Sequence, residues 1–304
     1  WMRLKGNFKE MYVFDDLQST ASCIAYGEND AICCTGIHSD GLTKLTSTHR
    51  IVSGLCWKRT FGLQLEGGVM VIKYGIGDKS LVIDLNRRKG VKGMVQFDEI
   101  ITTMAITLSG KAWESLIYLG TKTGRLFKVI GIPYSYGYSH LSIDDIIEDA
   151  NRYEIRRSAE DRPRVWGVKE ISMACRSIDG EKSPVISIAI GREEKDEPLI
   201  FPPPIDVIHA NGRLTRMEND IIVGSEIWPN KPRFATGTKL FEEIIIFEHN
   251  HKIKFCTFLD GVMKEQVFEM EEEECRVEGR VALVGSDLIY IDEGEIRVKK
   301  RREE

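Results

Sequence analysis

One short pattern recurs along the chain and limits what it can fold into. An apolar, β-rich run is followed by a turn with Gly, Asn or Asp, then by a second alternating run that often carries Lys or Arg. The clearest copy is SLIYLGTKTGRLFKVIG at residues 115–131, and SDLIYIDEGEIRVKK at 286–300 repeats its plan. A third, IDVIHANGRLTRM at 205–217, has Asn211-Gly212 as a type I′ hairpin signal. Looser copies are AICCTGIHSDGLTKLT at 31–46, LQLEGGVMVIK at 63–73 and EIIIFEHNHKIKFCTF at 243–258. In PVISIAIGREEKDEPLIF, at 184–201, a charged loop separates the two runs.

Each copy reads as two strands for the same physical reason. In LIYLGT and GRLFKV successive side chains fall on opposite faces, and Ile, Tyr, Phe and Val suit a pleated surface. Glycine stands where the turns need positive φ. The expectation is an all-β chain forming a single domain, 1–304, a β-propeller of four-stranded blades. Dividing 304 residues by seven gives about 43 per unit, inside the roughly 40–45 residues of such a blade. Seven blades are therefore expected, and six fit with insertions. The hairpins at 184–201 and 205–217 lie so close together that they can share one unit. GEIRVKK would be the third strand of a final blade. MYVF (11–14) is a spare strand that would pair beside that blade and shut the circle. A pair of β-sandwiches or a large barrel is the structural alternative.

One stretch is helical. SIDDIIEDANRYEIRRS, 142–158, offers Ser142 as N-cap with Asp145 three residues on, the capping-box spacing. Ile143, Ile146, Ile147 and Ala150 share one face, acids crowd the first turns and arginines the last. It reads as an insertion between sheet units, extending to about residue 166.

LIYLGTKTGRLFKV and LIYIDEGEIRVKK resemble the strand–turn–strand core of β-propeller repeats in the WD-repeat and quinoprotein-like group. The resemblance covers about two-thirds of the chain. The chain lacks the Trp-Asp dipeptide and the Gly-His of WD repeats, and also the repeated docking Trp of quinoprotein propellers. What the resemblance implies is an architecture and a habit of binding partners.

Composition excludes several classes. With 42 Lys and Arg against 47 Asp and Glu, no global basic field exists to hold nucleic acid or an anionic membrane. No run of 18 apolar residues occurs, no signal-peptide pattern opens the sequence, and none of the asparagines lies in a glycosylation sequon. The seven cysteines show no C-x-x-C and several sit in apolar runs, as expected of reduced, small hydrophobes in a soluble, cytoplasmic protein. Scarce glutamine with abundant Ile, Glu, Lys and Arg hints at a thermophilic source.

Motifs for chemistry are thin. GIGDKS (75–80) echoes a phosphate loop without its spacing or its helix and reads as a hairpin turn. His249 and His251 form an H-x-H pair at the tip of a hairpin, with no third metal ligand to name. No nucleophile signature is present, and adjacent carboxylates such as Asp15-Asp16, Asp98-Glu99 and Asp144-Asp145 would face opposite ways on a strand. No cofactor and no catalytic or metal residue is assigned. The most suggestive surface feature is an arginine-rich segment, Arg152, Arg156, Arg157, Arg162 and Arg164, followed by Trp166. Guanidinium forks bind oxyanions and stack on rings, so this segment is the candidate partner-binding element. Its plainer role is a helix C-terminus whose cations match the dipole and pair with nearby acids.

The expected function is a non-catalytic protein-interaction scaffold or complex subunit. Alternatives are an enzyme or small-ligand binder using the central channel, and RNA binding through the arginine segment.

Overall fold

A computed structural model describes residues 8–14, 22–35, 42–57, 60–74, 79–88, 91, 93–107, 116–130, 136–137, 142–159, 167–171, 183–190, 204–227, 234–239, 242–249, 252–259, 262–269, 278–284, 287–292 and 295–299. The alternating runs form antiparallel sheets of three or four consecutive strands. β1 (Glu10–Phe14), β2 (Ser22–Tyr26), β3 (Asp30–Thr35) and β4 (Leu42–Thr46) make the first. β5 (Ile51–Trp57), β6 (Thr60–Leu65), β7 (Val69–Tyr74) and β8 (Lys79–Asp84) make the second. The third begins with β9 (Ile101–Thr107), β10 (Leu116–Thr121) and β11 (Leu126–Ile130). The chain then leaves that sheet, adds β12 (Tyr136–Gly137) to the outer edge of β8, runs through α1 (Ile143–Ala159) and returns as β13 (Gly167–Ile171) outside β11.

β14 (Val185–Ile190), β15 (Ile205–His209), β16 (Arg213–Glu218) and β17 (Ile221–Ile227) follow as one group. β18 (Phe234–Lys239), β19 (Glu242–His249), β20 (Lys252–Leu259) and β21 (Val262–Glu269) form another, joined to it by a single parallel pair, Ile190 with Lys239. β22 (Glu278–Val284), β23 (Asp287–Asp292) and β24 (Glu295–Lys299) close the series. First strands neighbour one another in turn: β1 lies against β5, β5 against β9, β9 against β14, β14 against β18, β18 against β22, and β22 against β1. A circle of sheets joined at their first strands is a β-propeller. The blade number expected from the sequence bears partly on residues outside those described.

One apolar core runs through the first four sheets, from Ile24 on β2 to Met217 on β16, with Leu63, Met70, Ile72, Leu81, Met104, Leu119 and Phe127 fully enclosed. Each such side chain contributes about 1.5–3 kcal/mol by leaving water. Side chains also tie neighbouring sheets where no ladder does. Ser53 Oγ donates to the Ile101 carbonyl at 2.6 Å, and Trp57 Nε1 donates to that of Ile106 at 3.2 Å. Gln64 holds the entry to β9 twice, donating to the Glu99 carbonyl at 2.7 Å and accepting from the Ile101 N–H at 2.8 Å. Between the third and fourth sheets, Lys128 Nζ meets Asp220 Oδ1 at 2.9 Å. Gly120 lets the backbones approach there, because a Cβ at that position would stand 2.5 Å from Val185 Cγ1.

Most sequence-expected hairpins form as strand pairs: β3 with β4, β6 with β7, β10 with β11, β15 with β16, β19 with β20, and β23 with β24. The hairpins at 184–201 and 205–217 do share a sheet, since β14 pairs with β15. Two details differ. The Asn211-Gly212 turn is not type I′: only Gly212 has positive φ, and its N–H bonds the His209 carbonyl at 2.9 Å. That is a three-residue loop ending in a left-handed glycine. The turn with two positive φ values is instead Asn219-Asp220, between β16 and β17. Residues 11–14 also differ from expectation. They ladder with β2 as the innermost strand of the first sheet and lie against β22 without sharing a ladder with it.

The helix forms as its pattern predicts. Ser142 Oγ accepts from the Asp145 N–H at 3.4 Å, and Ile143, Ile146 and Ala150 are buried. It lies along β4, β7, β8 and β12, a strap across the outer edge of the first two sheets. No helix among the described residues is long and apolar enough to cross a membrane.

Candidate functional site

Strands alternate in direction within each sheet. The turn between second and third strands therefore lies at the same end as the connection leading to the next sheet. Hydrogen bonds join these loops in pairs: Ile51 N–H to the Glu28 carbonyl, Leu85 N–H to Gly68, Lys122 N–H to Ile100, and Ala210 N–H to Pro184. Together they make one face of the propeller.

The β8–β9 connection, residues 85–100, dominates what is described of that face. Asn86 pins it from within, its Nδ2 donating to the Gly67 carbonyl and its Oδ1 accepting from the Phe97 N–H, each at 2.7 Å. The Val95 N–H bonds the Asn86 carbonyl at 3.0 Å. Phe97 turns inward and meets Phe127 edge to face, centroids 5.4 Å apart. The Arg88 guanidinium lies over Phe127 at 4.4 Å and over Phe97 at 5.1 Å. Burial and the like charge of Arg125 lower the Arg88 pKa, and its Nη1 is enclosed without a hydrogen-bond partner.

Arg125 anchors the far side. Its Nε meets Glu170 Oε1 at 2.8 Å, Nη2 bonds the second Glu170 oxygen, and Nη1 meets Glu99 Oε1 at 2.7 Å. The forked bond to Glu170 is the main cause holding the Arg125 pKa above its usual value. Burial would push the Glu99 carboxyl up, but hydrogen bonds from Thr123, Arg125 and Thr121 keep it below the ordinary Glu value.

On this fixed backbone four apolar side chains face water: Val91 at 52% exposure, Met94 at 75%, Val95 at 42% and Ile100 at 39%. Single exposed apolar residues are ordinary, whereas four within ten positions of one connection mark it as the candidate site.

The sequence-predicted segment is placed only in part. Arg152 is exposed and bonded to its own helix, with Nη2 at 2.5 Å from Glu148 Oε1, the plainer of its two roles. Arg156 and Arg157 lie on the last turns of α1. Arg162, Arg164 and Trp166 lie outside the described residues. His249 ends β19 and pairs with Lys252; Asn250 and His251 are outside the described residues. β7 and β8 pair antiparallel, and Gly75, Ile76, Gly77 and Asp78 of the GIGDKS turn lie outside the described residues.

One group has the residue types of a catalytic triad. Ser47, His49 and Asp144 meet, but Ser47 Oγ (3.4 Å) and His49 Nδ1 (3.0 Å) both bind the same Asp144 oxygen. A nucleophilic triad needs the imidazole between hydroxyl and carboxylate. This group ties a loop to a helix. Among the described residues no cluster of three His, Cys, Asp or Glu could hold a metal ion.

Of residues 85–100, sequence reasoning named only the Asp98-Glu99 pair. The usable signal was RRKGVKGMV, with four cations and no acid beside three apolar residues in no strand or helix pattern.

The sheets, their ring and a face of anchored loops define the class: a β-propeller repeat protein without the WD signature. No family model matches the chain, and no curated protein matches it in sequence. Solved structures similar to it include β-propeller domains. The WD40 β-propeller domain of Doa1 is 8% identical, with 99% of this chain and 96% of that one covered at a TM-score of 0.47. The β-propeller domain of Myceliophteria thermophila Cps50 (Swd1) is 9% identical, with 99% of each chain covered at 0.47. A chain of the yeast heterotrimeric Nup82-Nup159-Nup116 nucleoporin complex is 10% identical, with 99% and 88% covered at 0.47. All are remote, and the propeller assignment rests on this chain's own sheets.

Proposed function

We propose that this propeller is a non-catalytic scaffold, a subunit of an intracellular, cytoplasmic complex that holds protein partners on its loops. The observation that carries the reading is the β8–β9 connection. It exposes Val91, Met94, Val95 and Ile100 on a backbone that Asn86, Phe97 and Arg125 already hold in place. A pre-ordered loop loses little entropy on binding, and apolar side chains gain by being covered. The arginine segment 152–166 is a second partner contact in this reading. The Ser47–His49–Asp144 geometry removes the described residues' best catalytic candidate.

The test is capture of the tagged chain from its native cells, with and without nuclease, followed by mass spectrometry. A stoichiometric, nuclease-resistant protein partner is expected. Recovery of the chain alone, together with a small molecule that raises its melting temperature, would replace the scaffold by a ligand-binding propeller.

A further inference from the structure

We infer that the β8–β9 connection receives an acidic peptide segment carrying apolar side chains, supplied by a partner protein. This deepens the scaffold reading and rests on it. The argument begins with charge. Residues 85–97 hold Arg87, Arg88, Lys89 and Lys92 and no acid, in a chain whose acids outnumber its cations by five. Glu99 and Glu170 share the single positive charge of Arg125, so that trio keeps one net negative charge against the four cations. Asp98, next in sequence, is the one exposed acid at the loop's end. Lys122 adds a further exposed cation, its backbone bonded to the carbonyl of exposed Ile100. Arg88 contributes charge from a setting where aromatic faces and burial replace water, so its field on an approaching anion is less screened.

The apolar half selects the partner's class. Val91, Met94, Val95 and Ile100 are aliphatic or thioether side chains, and the aromatic ring of the stretch, Phe97, is buried. Single-stranded nucleic acid would want exposed rings on which to stack bases. An acidic peptide with leucine- or phenylalanine-like side chains satisfies both halves. Its carboxylates meet the cations, and its apolar groups cover Met94 and Val95, methionine adapting to an irregular partner.

Panning a random dodecapeptide display library against the immobilised full chain tests this. The expected result is enrichment of peptides with net negative charge and at least two large apolar residues. Their affinity should fall about tenfold in Met94→Asp and in a Lys89→Glu/Lys92→Glu variant, and weaken steeply with salt. Both variants change exposed or connection residues, and an unchanged melting temperature shows that they remain folded. Enrichment of basic or neutral peptides, enrichment indifferent to Met94→Asp, no enrichment, or preferential capture of RNA would each overturn the inference. The two readings fail separately. If Met94→Asp retains the nuclease-resistant partner captured from native cells, the scaffold stands and this loop is not its acidic-peptide site.

Discussion

Asp144, in the first turn of α1, accepts a hydrogen bond from the backbone N–H of Thr48 at 2.8 Å, joining positions 96 residues apart in the chain. The same carboxylate receives the Thr48 hydroxyl and faces His49 Nδ1, each at 3.0 Å. The helix N-terminus thus organises the connection between the first two sheets, and its dipole favours the negative charge it presents. An insertion between two strands of the third sheet is stapled to the first and second.

The first prediction follows from that carboxylate. Burial alone would raise the Asp144 pKa, but the Thr48 and His49 bonds hold it below 3.8. Its contribution is therefore whole above pH 3.8 and is lost as pH falls through the lower folded value. Since the side chain is 30% exposed, Asp144→Asn should cost only about 1 kcal/mol near neutral pH, roughly 2 °C in Tm. Melting curves of both proteins should converge on acidification. A constant gap down to pH 3 would show that charge is not the cause.

His209 gives a second pH effect in a different window. It is buried, its Nδ1–H donates to the Ser183 carbonyl at 3.0 Å, and its Nε2 is enclosed without a partner. Burial chiefly, with the charge of Arg213, lowers its pKa below 6.5. Above pH 6.5 the ring is neutral folded or unfolded and costs nothing. As pH falls through 6.5 the unfolded chain takes a proton that the folded chain refuses, and stability declines. His209→Asn, whose amide can still donate to Ser183, should flatten the loss of Tm between pH 7.5 and 5.5. An unchanged slope would place the acid sensitivity elsewhere.

How much of this was legible in the sequence divides along physical lines. Hairpins such as 115–131 were legible because alternation and turn glycines are local signals, and the α1 cap was legible because Ser142 and Asp145 are three residues apart. The Asn211-Gly212 turn was misread because the dipeptide suits both a two-residue loop and a longer one ending in glycine, and strand register decides between them. The place of residues 11–14 depends on which strands meet across the ring, which no local signal encodes. Nor does the sequence say that Met94 faces water while Phe97 does not. That depends on Asn86 bending the connection and on Phe127 arriving from another sheet.

Close packing between sheets supplies a third prediction. A Cβ at Gly120 would fall 2.5 Å from Val185 Cγ1 and 2.8 Å from Thr103 Cγ2. Gly120→Ala should cost about 1–3 kcal/mol by overpacking. Val185→Ala removes Cγ1 but leaves its own Cβ at 2.7 Å, so the double variant should recover part of the loss and be somewhat more stable than the two single losses predict. A double-mutant cycle by chemical denaturation measures the coupling. Additive losses would mean that the third and fourth sheets do not meet at this point.

The last prediction concerns the anchor of the candidate site. Arg125→Met keeps an unbranched side chain near Phe127 but removes the guanidinium from Glu99, whose side chain is only 7% exposed. Glu99 then keeps the Thr123 hydroxyl and loses its counter-charge, a change expected to cost about 2 kcal/mol near pH 7. With the cation gone, burial dominates and the Glu99 pKa rises. The variant's folded state then binds a proton at higher pH than its unfolded chain does, so acidification should narrow the gap in Tm from the parent. Arg125→Lys restores a charge without the fork and should recover only part of the loss. If the gap stayed constant from pH 7 to pH 4, Glu99 would not be the group that Arg125 stabilises. The pinned geometry of residues 97–100 would then need another cause.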